Sequence, residues 1–473
     1  MLFNSFNFLI FFPVVTLMYF LLPHKYRWFH LLAASCYFYM SFVPIYILIL
    51  FTTIIIDYFA AIIIENTSGK KRKWYLYATV ASNILVLCVF KYYNFFIDNA
   101  VSMAHVMGYK TFSLPVLEML LPIGLSFHTF QALSYVFEIN RGNIKAERHF
   151  GIYSLYVMFY PQLVAGPIER PQNMLHQFHE EKKFDGDRVM IGLKIMLWGL
   201  FKKVVIADRL ALYVTHVFDN PGEASTTQLW IAVFIFFPFQ IYCDFSGYSS
   251  IALGSAKVMG FDLMENFKRP FSSLTTSELW NRWHISLSTW FRDYLYQPLV
   301  MHFRDYGKWS VVIGLLVTFF LSGFWHGAGW NFIVYGIVQG SVMVVEFLLG
   351  VKSVKLAKTA FGRFRGIIVT YFFFAFSLIF FRSANMGQSL DVIKRLFWDF
   401  NFQDGVYIPL SIATHVISVL SIIGLLYFEK YHAQQLIYQQ NRLRYEVALG
   451  SWLVIALVVL GVFTSNSFIY FQF

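Results

Sequence analysis

The sequence predicts an all-α protein that crosses a membrane many times. Its 473 residues are 58% apolar and only 13% charged, whereas a water-soluble domain usually carries about 25% charged residues. The mean hydropathy of +0.57 agrees with this deficit. A hydrocarbon core about 30 Å thick needs roughly 20 mostly apolar residues per helical crossing. Several stretches reach that length, so we expect about 10 to 12 transmembrane helices in one membrane domain over residues 1–473.

The order of the predicted spans follows from the apolar runs. These lie near residues 6–22, 28–43, 44–64, 75–97, 114–137, 150–166, 228–256, 310–326, 330–350, 366–381, 408–428 and 447–463. Two or three of them are candidates for short, re-entrant or merged segments. The first run lacks a basic leader and an A-x-A cleavage site, so we expect a retained span rather than a signal peptide.

The positive charge of the chain predicts its orientation. The formal net charge is +11, and basic residues concentrate in the loops 65–74, 141–149 and 352–365. Lys and Arg are enriched in cytoplasmic loops, and anionic headgroups attract them. We therefore expect these loops and the segment 429–446 inside, with the N-terminus and the C-terminal tail outside.

Two polar stretches between spans look like helices that lie along the membrane surface. Residues 189–207 place apolar side chains at helical spacing, with lysines elsewhere on the helix, which predicts an interfacial helix. The apolar positions are Met190, Leu193, Leu197, Leu200 and Val204, and the lysines are Lys194, Lys202 and Lys203. Residues 275–300 are similar but denser in polar and aromatic groups.

His326 is the strongest candidate for a catalytic residue. Apolar sequence precedes and follows it, which predicts a position well inside the bilayer, and ionisable residues at that depth suggest function. A neutral imidazole suits removal of a proton from a hydroxyl nucleophile. Gly327, Ala328 and Gly329 leave room where a substrate arm could approach the backbone. The alternative is a histidine that only forms a hydrogen bond between helices.

A second polar and aromatic segment, Trp280–Tyr296, is predicted at the cytoplasmic edge. It contains Arg282, Trp283, His284, Arg292 and Asp293. Arginine is suited to bidentate contacts with phosphate, so Arg282 and Arg292 are candidate substrate contacts. An anchored amphipathic helix with Arg–Asp pairs fits the composition equally well.

Taken together, four segments resemble the membrane-bound O-acyltransferase family. They are Arg282-Trp283-His284, Phe324-Trp325-His326-Gly327, Pro161-Gln162-Leu163-Val164-Ala165-Gly166-Pro167-Ile168 and Asp244-Phe245-Ser246-Gly247-Tyr248. The pattern spans nearly the whole chain. It is most similar to the branch that contains the alginate O-acetyltransferase membrane subunit and its peptidoglycan-acetylating relatives.

The resemblance implies a fold, a chemistry and partners. The fold is a ring of tilted helices around a central funnel, with interfacial and re-entrant helices. His326 matches the catalytic histidine and His284 a second family histidine, while Trp283, Trp325 and Asn331 are expected substrate contacts. The implied donor is a cytoplasmic acyl thioester, here acetyl-CoA, with no bound cofactor. The implied location is the bacterial inner membrane, where an external SGNH-type partner completes transfer to a polysaccharide.

Two acidic residues and a proline-rich motif lie within apolar runs. Asp57 and Asp244 could orient a histidine or pair with an arginine such as Arg382, and structural pairing is the expected role. Asp244 is the better substrate-site candidate because its neighbours match the family motif. Pro161, Gly166 and Pro167 should break their helix, which is tolerated at membrane depth where the backbone lines a cavity.

The final residues, Phe468-Ile469-Tyr470-Phe471-Gln472-Phe473, suggest an acyl carrier. They resemble the C-terminal motif of a small companion subunit in D-alanyl transfer to teichoic acids. A phenol with a pKa near 10 is close to a thiol near 8.5, so transfer from thioester to phenol should cost little. We expect His326 to deprotonate Tyr470, which then holds the acyl group until the partner accepts it. An aromatic belt at the interface is the alternative.

Other functions receive less support from the sequence. Cys36, Cys88 and Cys243 show no paired or zinc-binding spacing, so neither a disulfide nor a metal site is expected. The sequence contains no P-loop, G-x-G-x-x-G or H-E-x-x-H motif. A proton-coupled transporter would often show repeated halves, which are not visible. An acyltransferase that modifies a lipid or protein acceptor in the membrane stays open.

Overall fold

The computed structural model describes residues 1–117, 122–164, 166–402, 405–406, 410–440, 442–463 and 468–469, with Leu443 described by its backbone alone. These residues form helices, and they include no β-strand beyond an isolated bridge between Phe267 and Trp283. Contacts divide the chain into two compact units, Met1–Phe184 with Met259–Leu263 and Asp185–Val258 with Met264–Phe473. The predicted single domain over 1–473 stays a prediction.

The first unit contains nine α-helices among its described residues. They are α1 Phe6–Leu21, α2 His24–Met40, α3 Ile47–Glu65, α4 Gly69–Leu87, α5 Tyr93–Val106, α6 Leu125–Arg141, α7 Phe150–Met158, α8 Tyr160–Leu163 and α9 Pro171–His179. A 3₁₀ turn at Pro44–Tyr46 precedes α3, and a π-helical segment at Cys88–Tyr92 joins α4 to α5.

Two basic loops of this unit lie on one side. Arg72 donates to the carbonyl of Ile139 at 3.1 Å, and Arg148 forms an ion pair with Glu65 at 2.5 Å. These contacts join the 65–74 and 141–149 loops, which agrees with their predicted placement on a common side of the membrane.

The helix that carries the proline-rich motif is broken, as predicted. It stops at Met158 and resumes as the short α8 at Tyr160, because Pro161 cannot donate a helical hydrogen bond. The amide of Tyr160 instead donates to Ser35 Oγ at 3.0 Å. The freed carbonyl of Tyr156 accepts from Gln131 and Gln162 at 2.5 and 2.7 Å. Side chains thus satisfy the backbone at the break.

The second unit contains the remaining α-helices. They are α10 Gly186–Leu200, α11 Asp208–Asp219, α12 Thr226–Ile231, α13 Phe237–Met259, α14 Thr276–Trp280, α15 Ile285–Phe291, α16 Gln297–His302, α17 Lys308–His326, α18 Trp330–Leu348, α19 Ser353–Leu356, α20 Ala360–Arg382, α21 Met386–Phe397, α22 Ile412–Tyr431, α23 Ala433–Leu436 and α24 Leu443–Leu460. Three π-helical segments, Phe201–Ala207, Ala232–Phe236 and Arg292–Tyr296, join α10 to α11, α12 to α13 and α15 to α16.

The stretch 189–207 is not an interfacial helix, and that prediction is wrong. It forms α10 and the π-helical segment 201–207, in which Lys194, Lys202 and Lys203 are at most 4% exposed. Met190 and Leu193 are instead 39% exposed. The helix is amphipathic, but its lysines face the protein interior, where ion pairs and carbonyls satisfy them.

Glycines bring α10 and its π-helical extension against α13. A Cβ added at Gly199 would lie 2.6 Å from the carbonyl oxygen of Gly247, and one added at Gly254 would lie 2.5 Å from that of Gly192. Such contacts are too short for any side chain. The paired glycines therefore allow the two backbones to touch, as small residues do between membrane helices.

Seven helical stretches among the described residues are long and apolar enough to cross a membrane. They are Pro44–Glu65, Gly69–Val106, Thr226–Met259, Lys308–His326, Trp330–Leu348, Ala360–Arg382 and Ile412–Tyr431. The other predicted runs form the shorter or more polar helices α1, α2, α6, α7 with α8, and α24. Large apolar side chains such as Leu420 and Val458 are 61% and 72% exposed, as suits contact with lipid. The prediction of an all-α polytopic membrane protein is confirmed.

Candidate active site

His326 lies at the turn of a helical hairpin. It is the last residue of α17, and α18 begins four residues later at Trp330. The two helices pack closely because Gly323 lies against the backbone of Gly336. The sequence predicts a position well inside the bilayer; the structure places His326 where an apolar helix ends rather than in the middle of one.

The imidazole of His326 is enclosed by aromatic rings. Its centroid lies 4.9 Å from that of Trp325, 5.3 Å from Phe381 and 5.7 Å from Tyr335, all in edge-on arrangements. The residue is 5% exposed. This environment shields the imidazole from bulk water.

The glycines after His326 make room for protein rather than substrate. A Cβ at Gly327 would lie 2.3 Å from the ring of Phe332, and one at Gly329 would lie 2.5 Å from Asn331 Oδ1. The expectation of an open approach for a substrate arm at these two positions is therefore wrong. The space is occupied by side chains from the start of α18.

His284 lies close to His326 in the same unit. Its backbone has a left-handed conformation with φ of 43°, which is uncommon for a residue other than glycine. The amides that follow are held by Asn266, whose backbone carbonyl accepts from Ile285 at 3.0 Å and whose Oδ1 accepts from Ser286 at 3.1 Å. Burial, and then the nearby His326, lower the pKa of His284 well below its ordinary value.

Trp325 connects the two histidines. Its ring centroid lies 6.3 Å from that of His284 and 4.9 Å from that of His326. Asn331 has a structural contact instead, because its Nδ2 donates to the carbonyls of Phe380 and Ser383 at 3.0 and 2.9 Å. It thereby ties the start of α18 to the end of α20.

The predicted substrate residues around His284 separate into two groups. Arg282 pairs with Glu278 at 2.7 Å and lines the larger cavity described below. Trp283 is 3% exposed and packs edge-on against Phe374 at 4.9 Å, within an aromatic cluster. Trp283 therefore supports the site rather than facing open space.

Arg292 and Asp293 pair with each other. Arg292 Nε lies 2.8 Å from Asp293 Oδ1, and the two side chains are 50% and 30% exposed. Arg292 also lines an apolar cavity of about 310 Å³ that reaches Ser322, one helical turn before His326. The pairing matches the anchored-helix interpretation of this segment.

A cavity of about 720 Å³ is lined by Asn266, the residue that accepts from the two amides after His284. Its buried end includes Ser246, Ser249 and Asn266, which are at most 3% exposed. Its outer residues include the exposed Lys268 and Lys430. The lining contains five Lys or Arg residues, which are Lys202, Lys268, Arg269, Arg282 and Lys430, and two acids, Glu265 and Glu429. An excess of positive charge around such a cleft favours an anionic ligand.

The basic loop 352–365 and the end of α18 contact the start of α14, a few residues before the cavity residue Arg282. Ser353 Oγ lies 3.0 Å from Thr275 Oγ1, and the Glu346 carboxylate accepts from the amide of Thr276 at 2.7 Å. Arg269 donates to the carbonyl of Lys430 at 3.2 Å. The segment 429–446, which is predicted inside, therefore contributes directly to the cavity lining.

Asp244 belongs to a buried charge cluster. Its Oδ1 lies 2.6 Å from Lys203 Nζ, and Lys203 also contacts Asp208 Oδ1 at 2.8 Å. Burial raises the pKa of Asp208 to about 7, although Lys203 opposes the shift. Asp244 was expected to pair with an arginine; its partner is a lysine. The nearest acid to Arg382 is Asp219, at 3.9 Å.

Asp57 also has a structural partner. It is buried in the first unit and accepts a hydrogen bond from Asn83 Nδ2 at 2.8 Å. This contact agrees with the expected structural role.

The C-terminal segment reaches the same region of the second unit. Ile469 donates its amide to Asp244 Oδ2 at 2.8 Å. The Phe468 ring stacks on Tyr248 with centroids 4.6 Å apart and lies 5.5 Å from Phe245, which in turn meets His284 edge-on at 4.6 Å. Tyr470, the predicted acyl carrier, lies outside the described residues.

The family assignment rests on most of the chain. Residues 74–390 match the model of the membrane-bound O-acyltransferase family. The chain is a membrane-bound O-acyltransferase.

The names of several relatives of this acyltransferase refer to the modification of bacterial polymers. It is 33% identical over 407 residues to a probable alginate O-acetylase AlgI of Pseudomonas aeruginosa. The aligned region covers 84% of this chain and 75% of the relative. It is 32% identical over 392 residues to a peptidoglycan O-acetyltransferase of Helicobacter pylori, which covers 77% and 72%. A teichoic acid D-alanyltransferase of Streptococcus thermophilus is 30% identical over 237 residues, which covers 47% and 56%.

The acyltransferase also contains residues that the sequence interpretation missed. Lys203 and Asp208 complete the cluster of Asp244, and Ser249 and Asn266 form the floor of the larger cavity. A signal for Lys203 was present, because a lysine within an apolar helical run needs a partner. Its partner Asp244 lies 41 residues away in sequence, and only the glycine-mediated helix contact brings the two together.

Proposed function

We propose that the enzyme moves an acetyl group from acetyl-CoA in the cytoplasm across the bacterial inner membrane for O-acetylation of an extracytoplasmic polysaccharide. The observation that carries the proposal is that the basic cavity, His284 and the C-terminal segment all contact Phe245 or Ser246, two consecutive residues of α13. Phe245 contacts both His284 and Phe468 of the C-terminal segment, and Ser246 lines the basic cavity. Donor cavity, histidine and tail thus adjoin one another.

The basic cavity is the proposed donor site. Lys268, Arg269 and Lys430 suit the phosphates of coenzyme A, since ionised donors form strong hydrogen bonds to phosphate oxygens. Part of the lining comes from the segment 429–446, which is predicted inside, and this supports a cytoplasmic opening. The thioester arm would enter toward Ser246 and Asn266, beside His284.

The proposed chemistry passes the acyl group through Tyr470. His326 takes the phenolic proton, the Tyr470 oxygen attacks the thioester carbonyl, and the carbon–sulfur bond breaks. The departing thiolate receives the proton from His326, so the products are acyl-tyrosine and free thiol. The near match of phenol and thiol acidity makes this exchange almost neutral in energy. Transfer to a less acidic hydroxyl is then downhill.

Onward transfer is assigned to a partner on the outer side of the membrane. An SGNH-type acyltransferase would accept the group from Tyr470 and deliver it to the glycan. The names of the alginate and peptidoglycan relatives support an alginate-like exopolysaccharide or peptidoglycan as the acceptor. The name of the D-alanyl relative supports delivery to a cell-envelope polymer more broadly.

A second candidate is direct acylation of a lipid or protein acceptor in the membrane. The apolar cavity of about 310 Å³, which reaches Ser322 near His326, could hold such an acceptor. Direct transfer to such an acceptor would not require Tyr470.

Replacement of Tyr470 by Phe tests the relay and separates these candidates. The variant keeps the aromatic ring and removes the hydroxyl nucleophile, so we expect at least about a hundredfold loss of glycan acetylation. The measurement is the ester-linked acetate of the extracted polymer from cells that express equal amounts of each protein. A Tyr445→Phe variant, altered at an exposed tyrosine of α24, serves as the control. Wild-type acetylation in Tyr470→Phe would reject the relay and favour direct transfer.

A further inference from the structure

The buried cluster around Asp244 leaves one carboxylate oxygen directed at the C-terminal segment. Lys203 occupies Oδ1, while Oδ2 accepts the amide of Ile469. Lys203, Asp208 and Asp244 are each at most 4% exposed. A buried carboxylate is costly unless it is paired, so Lys203 stabilises the charged form and also fixes its orientation. The hydrogen bond to Ile469 is then charge-assisted, which makes it stronger than a neutral one.

The C-terminal segment is also bound at a second point, just after α24, by residues close to Lys203 in sequence. The amide of Val462 donates to the carbonyl of Val204 at 3.0 Å, and Arg209 donates to the carbonyl of Leu460. Val204 and Lys203 belong to the π-helical segment 201–207, where the widened turn leaves backbone groups for other partners. The π-helical segment 201–207 therefore has two contacts with the C-terminal region. Val204 binds Val462 just after α24, and Lys203 orients Asp244, which binds Ile469.

The anchor lies directly before the proposed acyl carrier. Phe468 and Ile469 are 1% and 6% exposed, and Tyr470 follows in the sequence. Consecutive Cα atoms are 3.8 Å apart, so a fixed Ile469 restricts the reach of Tyr470 to the immediate neighbourhood. That neighbourhood includes Phe245 and, beyond it, His284.

We propose that Asp244, oriented by Lys203 and Asp208, is a positioning residue that anchors the C-terminal segment so that Tyr470 meets the histidines. This inference rests on the proposed acyl relay. It assigns Asp244 to the carrier rather than to the donor or to a histidine. Without the anchor, Tyr470 would spend most of its time away from the histidines. Acyl transfer would then be slow, because holding the reacting groups together accounts for a large part of the rate of such reactions.

Hydrogen–deuterium exchange of the full-length enzyme in nanodiscs tests the anchor independently of catalysis. We expect the peptide that contains residues 461–469 to be protected in the wild type. In Asp244→Ala its exchange should be at least about tenfold faster, since a hydrogen bond to a charged acceptor typically contributes that much. Asp57→Ala, which removes a buried carboxylate of the first unit that accepts from Asn83, should leave the exchange of this peptide unchanged. Equal protection in Asp244→Ala and the wild type would overturn the anchor.

The functional consequence is tested from the side of the tail. Ile469→Pro removes the amide hydrogen that Asp244 accepts and leaves the buried cluster intact, whereas Ile469→Ala keeps the amide. We expect Ile469→Pro to lower kcat for acyl transfer about tenfold or more with unchanged KM for acetyl-CoA, and Ile469→Ala to stay within about threefold of the wild type. Normal transfer by Ile469→Pro would overturn the positioning role even if Asp244→Ala frees the tail. Normal transfer by Tyr470→Phe would instead reject the relay and leave the exchange result standing.

Discussion

At the scale of residues, the site separates into groups with different tasks. His326 and His284 meet across Trp325, Lys268 and Lys430 border the larger cavity, and Asp244 faces the tail. The sequence identified His326 because an imidazole is rare in an apolar helical run, and it identified His284 through the resemblance to the family. It did not identify Lys203, because a lysine beside apolar residues resembles an amphipathic surface until its buried partner is known.

The basic residues at the cavity mouth are predicted to bind the donor. Replacing both Lys268 and Lys430 by Gln removes two exposed positive charges without disturbing the buried floor. We expect KM for acetyl-CoA to rise about tenfold with little change in kcat, because the lost contacts act equally on the bound substrate and the transition state. The double variant Lys70→Gln, Lys73→Gln, at two exposed lysines of the first unit, is the control. An unchanged KM in steady-state kinetics would place the donor elsewhere.

At the scale of elements, hydropathy predicted where helices occur but not which side of each helix faces the protein. Each predicted run contains helix among its described residues, and the proline-rich motif breaks its helix. The stretch 189–207 was assigned to the membrane surface because its periodicity shows amphipathicity alone. Periodicity cannot distinguish a polar face in water from a polar face that meets buried partners. Gly199 and Gly247 permit that burial. A glycine in the sequence indicates a close contact between helices, but it does not indicate which helix is the partner.

The glycine contact between α10 and α13 makes a prediction about stability and activity. Gly199→Ala would place its Cβ 2.6 Å from the carbonyl oxygen of Gly247, so the helices must separate and the Lys203–Asp244 pair must shift. We expect destabilisation of about 1–3 kcal/mol together with reduced acyl transfer. Gly424→Ala adds a Cβ that meets nothing within 4 Å and should be neutral or slightly stabilising. Thermal unfolding of both variants in the same detergent is the measurement, and equal stability would contradict the account.

At the scale of the whole molecule, the enzyme belongs to the membrane-bound O-acyltransferase family. Its second unit contains the features that such a transfer would need: a cavity with basic residues, two buried histidines and a docked C-terminal segment. Composition was sufficient to predict a polytopic membrane protein, and the family motifs were sufficient to predict acyl transfer. The docking of the tail depends on contacts between residues more than 200 positions apart, which no local pattern contains.

Covalent labelling with the acyl donor tests whether His326 loads an acyl group onto Tyr470. The purified enzyme is incubated with isotope-labelled acetyl-CoA, digested and mapped by tandem mass spectrometry. We expect label on Tyr470 in the wild type and in His128→Gln, which alters a buried histidine that contacts Thr53 in the first unit, and at least about a hundredfold less in His326→Gln. Label on another residue, or full labelling of Tyr470 in His326→Gln, would contradict the account.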